Sequence, residues 1–176
     1  MSPVIPVPAW AERQGISPTG RGPRVHDAWG SGLFGMTRDN GRQAHWGLDL
    51  LCEPGQIARS PWDMEVERQR NPYAGYAGLQ ARTAWGARIV LYYVTPLDGD
   101  ACRPRMYRKG EPLGICQDIS RRVQRRADGS TYTYAGMQPH VHLEVWLQAG
   151  CNAWMSRGGA DQEIAIDPGL LLRLAT

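Results

Sequence analysis

Two short stretches decide the fold prediction: His45-Trp46-Gly47-Leu48-Asp49 and His140-Val141-His142-Leu143-Glu144. Side chains at positions i, i+2 and i+4 of a strand share one face. A strand therefore places His45 beside Asp49 and aligns the two histidines of the second stretch with its glutamate. A helix would also align residues 45 and 49, but it would put the two histidines of the second stretch about 200° apart. Both stretches are therefore predicted to be strands with one apolar face and one polar face.

The polar faces of these strands carry groups that bind metal ions. Two imidazoles and a carboxylate would leave a fourth position for water, which is the pattern of a catalytic zinc site. The alternative is that these are ordinary hydrogen-bonded histidines on a sheet. The chain has four histidines, and three of them lie in the two stretches with acidic residues in phase, which favours zinc.

The composition predicts a mainly β protein of one domain. The 21 glycines and 13 prolines are spread along 176 residues and mark many turns. Residues 1–24 are rich in Pro and Gly and are predicted to form an extended N-terminal arm, with one domain over 25–176. Short apolar or alternating segments predict strands at 45–51, 57–66, 87–94, 112–116 and 140–147. One short helix is predicted around 118–126.

The charge pattern argues against nucleic-acid binding. The net charge of +3 is mild and favours encounter with an anionic surface such as a cell wall. No nucleic-acid-binding motif accompanies it. The densest basic run comprises Arg121, Arg122, Arg125 and Arg126, and its i, i+4 spacing predicts a solvated helix face.

The cysteines do not resemble a zinc site of their own. Cys52, Cys102, Cys116 and Cys151 form no Cys-x-x-Cys pair, which argues against a thiolate zinc site. Two disulfides in any of three pairings remain open, as do four free thiols.

The order of the short motifs resembles the lysostaphin-type zinc metallopeptidases, which cut peptidoglycan and carry His-x-x-x-Asp followed much later by His-x-His. The resemblance covers roughly residues 27–170, and its further motifs are Phe34–Arg38, Glu53–Gly55, Ser60–Trp62, Arg108–Gly114 and Ile166–Pro168. It implies a compact antiparallel β-sheet or barrel-sandwich hybrid with few short helices. It also implies that His45, Asp49 and His142 bind Zn²⁺ and that His140 is a catalytic general base.

One feature departs from that family. Its active members carry another histidine in a Tyr-x-His setting, and the matching stretch 91–96 of this chain contains none. We predict that Tyr92 or Tyr93 replaces it in stabilising the oxyanion, and strand alternation would let only one of them face the zinc. His26 is the remaining histidine, either an exposed loop residue or a substitute. This region and 49–52 are similar to the leukocyte-cell-derived chemotaxin branch, whose members are regarded as zinc-containing binding proteins.

The resemblance implies a zinc endopeptidase acting on peptidoglycan peptides. The alternative is a non-catalytic zinc domain that binds cell-wall glycan, peptide or a protein partner. The first residues lack the basic start and apolar stretch of a Sec signal peptide, and no run is long enough to span a membrane. We therefore expect a non-Sec route or phage delivery to the periplasm or cell wall. A secretion apparatus and an immunity or inhibitor protein are the expected further partners.

Overall fold

The computed structural model describes residues 13–38, 41–98, 104–148 and 163–174. The protein is mainly β with antiparallel sheets, which confirms the predicted fold class. The helices in the described residues include the 3-10 turns Ile119–Arg121 and Pro168–Leu170, and none has the length and apolarity to cross a membrane. The strands in chain order are β1 (Gly15–Ile16), β2 (Thr37–Arg38), β3 (Gln43–Ala44), β4 (Leu48–Leu51), β5 (Ile57–Arg59), β6 (Met64–Tyr73), β7 (Tyr76–Thr83), β8 (Arg88–Tyr92), β9 (Val94–Pro96), β10 (Arg105–Tyr107), β11 (Pro112–Cys116), β12 (Val123–Arg125), β13 (Thr131–Thr133), β14 (His140–Gln148), β15 (Glu163–Ile166) and β16 (Leu172–Arg173).

Strand β14 pairs with three strands of the largest sheet, near one end of its strand order. One of its edges pairs with β8, and its other edge pairs with β4 near the beginning and with β15 near the end. Beyond β8 the sheet continues through β7 and β6 to β10. The register puts His142 directly opposite Asp49 on one side and Tyr92 on the other. Three polar side chains that are far apart in sequence therefore lie next to each other.

The opposite face of the same strands forms the core. Leu50, Leu91, Val141 and Leu143 are completely buried, as alternation with the polar positions requires. A three-stranded sheet of β5, β11 and β9 supplies further core residues such as Leu113. Burial of each large apolar side chain contributes about 1.5–3 kcal/mol. The predicted apolar face is confirmed at Leu48 and Leu50 of the first stretch and throughout Val141–Val145 of the second. Trp46, predicted on the same face, is instead 51% exposed, and the predicted strand 45–51 begins only at Leu48.

The described part of the N-terminal segment packs against the sheets. β1 pairs in parallel with β16, and the indole nitrogen of Trp62 donates a hydrogen bond to the carbonyl of Arg13. Ser17, Thr19 and Arg24 are buried. The boundary between an arm at 1–24 and a domain at 25–176 stays a prediction, since residues 1–12 lie outside the described part.

The predicted helix at 118–126 is wrong. Asp118 caps a single 3-10 turn by accepting a hydrogen bond from the backbone of Ser120, and the chain is extended again at Arg122. β12 then pairs with β13 through a tight turn, forming a hairpin. Backbone pairing with β13 outweighs the local i, i+4 charge spacing. The basic run therefore lies partly on a strand.

Other predicted strands lie where the structure has strands, but their first and last residues differ from the prediction. The segment 57–66 is divided between β5 and β6, which belong to different sheets, and β7 was not predicted. Cys52 and Cys116 are buried with free thiols. Cys102 and Cys151 lie outside the described residues, so the pairing of the four cysteines stays open.

Candidate metal centre

The structure brings His45, Asp49 and His142 together as a group able to hold a metal ion. His45 Nε2 lies 3.0 Å from His142 Nδ1 and 3.1 Å from Asp49 Oδ1, and the last two atoms are 2.8 Å apart. Tetrahedral zinc with bonds of about 2.0–2.1 Å separates neighbouring donor atoms by roughly 3.3 Å. The three donor atoms therefore match, in chemistry and spacing, one face of a zinc tetrahedron.

The far nitrogen of each histidine ring has its own hydrogen-bond partner. His45 Nδ1 donates to the carbonyl of Leu33 at 2.9 Å, and His142 Nε2 lies 3.2 Å from Glu144 Oε1. Glu144 is fixed in turn, because its other oxygen accepts a 2.7 Å hydrogen bond from Trp146 Nε1. Such partners orient a ligating ring and direct its other nitrogen towards the metal. The sequence placed Glu144 on the polar face without assigning it a specific role. Its position two residues after His142, on the same strand face, was the sequence signal for this contact.

Arg24 holds the second carboxylate oxygen of Asp49. Its Nη2 lies 2.8 Å from Asp49 Oδ2, and its Nη1 lies 2.8 Å from Asp27 Oδ1. Arg38 Nη2 approaches the same Asp49 oxygen at 3.5 Å. Sequence reasoning missed Arg24 because the contact joins residues 25 positions apart, through a chain segment that it assigned to the arm.

Local electrostatics favour positive charge between the carboxylates. Burial alone would raise the pKa of Asp49, but its electrostatic interaction with His140 and hydrogen bonds to His142 and His45 hold that pKa well below its usual range, where the imidazoles carry protons. Burial would lower the pKa of His142, but hydrogen bonds to Asp49 and Glu144 outweigh it and raise the pKa to about 9. A site that stabilises a proton so strongly also favours a metal cation in the same place.

His140 lies beside the three donor atoms without joining them. Its Nδ1 donates to the carbonyl of Gln138 at 2.7 Å, and its Nε2 is 3.6 Å from Asp49 Oδ2. Burial lowers the pKa of His140 despite the nearby carboxylate. The ring is therefore neutral near pH 7, with the Nε2 lone pair free to accept a proton.

The rings of Tyr92 and Tyr93 each lie against one histidine of the second motif, and which hydroxyl faces the metal position stays a prediction. The Tyr92 ring stacks on His142 with centroids 5.7 Å apart, and the Tyr93 ring meets His140 edge-on at 5.4 Å. Tyr93 follows directly after β8 and has φ of 66°, so the extended backbone ends at Tyr92. Burial raises the pKa of both hydroxyls, so both remain protonated donors near pH 7.

Gly47 provides the space that the His142 ring occupies. A Cβ at position 47 would lie 2.6 Å from both Cε1 and Nε2 of His142 and 2.7 Å from the carbonyl of Leu143. Glycine at position 47 therefore allows the backbone to lie this close to the His142 ring. His26 is exposed on the segment between Arg24 and Asp27, and its role stays a prediction.

Comparison with known proteins gives a sequence relative and a distant structural likeness, and no protein-family model matches the chain. The chain is 24% identical over 124 residues to leukocyte cell-derived chemotaxin-2 of Mus musculus, covering 69% of this chain and 71% of that protein. The protein of the same name from Bos taurus matches to the same extent, at 24% identity over 124 residues. This similarity agrees with the branch that segments 49–52 and 91–96 indicated.

Among solved structures, the chain matches the NMR solution structure of lysostaphin with a TM-score of 0.48 and 15% sequence identity. The match covers 78% of this chain and 49% of the lysostaphin chain, so this protein spans about half of that chain's length.

Proposed function

We propose that this protein is a zinc-dependent endopeptidase that hydrolyses peptide bonds of bacterial peptidoglycan. One observation carries the proposal: His45, Asp49 and His142 offer three donor atoms, and a neutral histidine stands beside them as a base. A structural zinc site is closed by four protein ligands, whereas a hydrolytic site keeps one position open. When bound, zinc polarises a carbonyl and makes water more acidic.

Each neighbouring side chain has a distinct task in this proposal. His140 takes a proton from the attacking water at Nε2 and passes it to the leaving amine. A tyrosine hydroxyl at 92 or 93 donates a hydrogen bond to the oxygen that gains negative charge, a role usually met by a preorganised donor. Arg24 and Glu144 hold the ligands Asp49 and His142 in position.

The substrate class rests on the motif order and on the surface around the centre. Trp46, between two members of the first motif, is 51% exposed, and its ring lies 6.3 Å from that of Trp146. Exposed indole rings provide flat apolar surface for a peptide or sugar. The net charge of +3 favours approach to the anionic cell wall.

Purified peptidoglycan sacculi provide the direct test. We expect the zinc-loaded protein to release new amino groups, a chelator to stop the reaction, and added zinc to restore it. The matched control is His140→Ala, which should keep zinc and lose hydrolysis. Solubilised fragments without new amino groups would contradict peptide-bond cleavage.

The second candidate is a non-catalytic zinc domain that binds cell-wall glycan, peptide or a protein partner. Two observations favour it: the similarity to chemotaxin-2, and Tyr93 at the stretch where the motif resemblance expects a histidine. In that case the zinc-loaded protein would co-sediment with sacculi and release no amino groups. The two candidates therefore differ in one measurement.

A further inference from the structure

Arg122 is a half-buried cation held between aromatic rings. Its guanidinium carbon lies 3.4 Å from the ring centre of Tyr73 and 5.0 Å from that of Tyr134. Its Nη1 donates to Gln124 Oε1 at 3.1 Å and to the hydroxyl of Tyr134. Each of these partners is neutral. The guanidinium is therefore fixed in orientation without being neutralised.

No carboxylate among the described residues forms an ion pair with Arg122. Its neighbour Arg121, by contrast, pairs with Asp118 at 3.0 Å. A guanidinium has five N–H donors in a planar fork that matches a carboxylate. With Nη1 engaged, Nη2 and Nε remain for a ligand. The arrangement is a preorganised receptor for a planar anion.

Two aromatic rings, Tyr73 and Tyr93, lie between this receptor and the candidate metal centre. Tyr73 stacks on Tyr93 with ring centres 6.3 Å apart, and Tyr93 contacts His140 at 5.4 Å. A second series of contacts runs along the other side: Trp29 lies 4.6 Å from Tyr134 and donates from Nε1 to the carbonyl of Ala135 at 2.9 Å. Tyr73 and Tyr93 thus connect the cation to His140 by ring-to-ring contacts.

We infer that Arg122 binds a carboxylate of the cell-wall peptide and so determines which peptides the centre accepts. The substrate class in this inference rests on the proposed function. Stem peptides of peptidoglycan carry free carboxylates along their length, and the planar fork suits a carboxylate. The aromatic rings hold the cation and add apolar surface for the peptide.

The test compares two synthetic stem tetrapeptides, one with free carboxylates and one with all carboxylates amidated. Their binding to the zinc-loaded full chain is measured by isothermal titration calorimetry. We expect the free peptide to bind about 10-fold tighter, since a hydrogen-bonded charge pair at a half-exposed position is worth about 1.5 kcal/mol. Arg122→Gln should abolish this preference, and Arg122→Lys should restore part of it. Arg125→Gln, an exposed change on the same hairpin, should leave it intact.

The preference between the two peptides separates recognition from folding. A variant that merely loosens the hairpin would weaken both peptides equally, and that result would overturn the inference. Equal or absent binding of both peptides by the unaltered protein would overturn it as well. If sacculi are not cleaved but the preference and its loss in Arg122→Gln are observed, the endopeptidase proposal fails and the carboxylate site stands.

Discussion

The metal centre and the hairpin of β12 and β13 fix their cations by different means. At the centre, Arg24 is 1% exposed and lies between the carboxylates of Asp27 and Asp49. In the hairpin, Arg122 is half-exposed and lies between tyrosine rings. A buried charge requires a countercharge, because desolvation is too costly without one. Near the surface, aromatic faces are sufficient, and they leave the charge available to a ligand. The first cation therefore supports the candidate site, and the second forms no ion pair with any carboxylate of the described residues.

The largest expected effect comes from removing a donor atom of the centre. His142→Ala should lose the bound zinc and all hydrolysis of sacculi, since two donors hold the ion poorly. His140→Ala should keep one zinc per chain and lose about 10²–10⁴ in rate, the contribution of a general base. Metal content by plasma mass spectrometry, with amine release from sacculi, checks both. Equal metal content in the two variants would show that the division of roles within 140–142 is wrong.

Removing the buried cation should have the next largest effect. Arg24→Gln leaves Asp27 and Asp49 without their buried partner and should lower the free energy of unfolding by about 3–5 kcal/mol. Arg21→Gln is the control, because Arg21 and Glu53 form a surface pair with side chains 47% and 64% exposed. That change should cost at most about 1 kcal/mol. Urea unfolding of both variants measures the difference, and similar losses would contradict the contrast between buried and surface cations.

The two adjacent tyrosines allow a finer comparison within the centre. Tyr93→Phe removes the hydroxyl of the ring that meets His140 edge-on. If this hydroxyl stabilises the oxyanion, the rate should fall about 10²–10³-fold. Tyr92→Phe keeps the ring that stacks on His142 and should change the rate little. Steady-state hydrolysis of a stem peptide, at matched zinc content, measures both. A larger effect at Tyr92 would assign the oxyanion donor to that residue, and a fall with His26→Ala alone would assign the role to the loop histidine.

The smallest expected effect concerns the turn of the hairpin. Gly129 has φ of 86°, and a Cβ there would contact only Arg125 Nη2 at 3.7 Å, so alanine would meet backbone strain and little crowding. Gly129→Ala should destabilise the hairpin by about 1–2 kcal/mol. Gly22→Ala, where a Cβ has nothing within 4 Å, is the control. Faster hydrogen exchange at residues 123–133, with unchanged global stability, would show that the hairpin opens as a local unit.

The alternation of residues predicted the part of the protein that depends on local periodicity. The two decisive stretches predicted strands with one apolar face and one polar face, and the apolar positions of β4 and β14 such as Leu50 and Val141 lie in the core. The directions of Asp49 and His142 follow from a period of two, whereas His45 precedes β4. Their fine spacing depends on how β4 meets β14, and that register joins residues about 93 positions apart.

Contacts between residues distant in sequence decided the structural features that local periodicity did not predict. The basic run at 121–126 has helical spacing, but β13 offered hydrogen bonds and tyrosine rings that made a strand more favourable. Tyr93, which has φ of 66° directly after β8, lies against His140, while Tyr92 lies against His142. Arg24 acquired its role through a buried ion pair with a carboxylate 25 residues away. The sequence by itself determined which residues carry donor atoms suited to a metal ion. The tertiary structure decided which arginines form buried ion pairs with the carboxylates of that site. Only the folded chain fixes this, because the burial of a side chain and its ion-pair partners depend on contacts between distant residues.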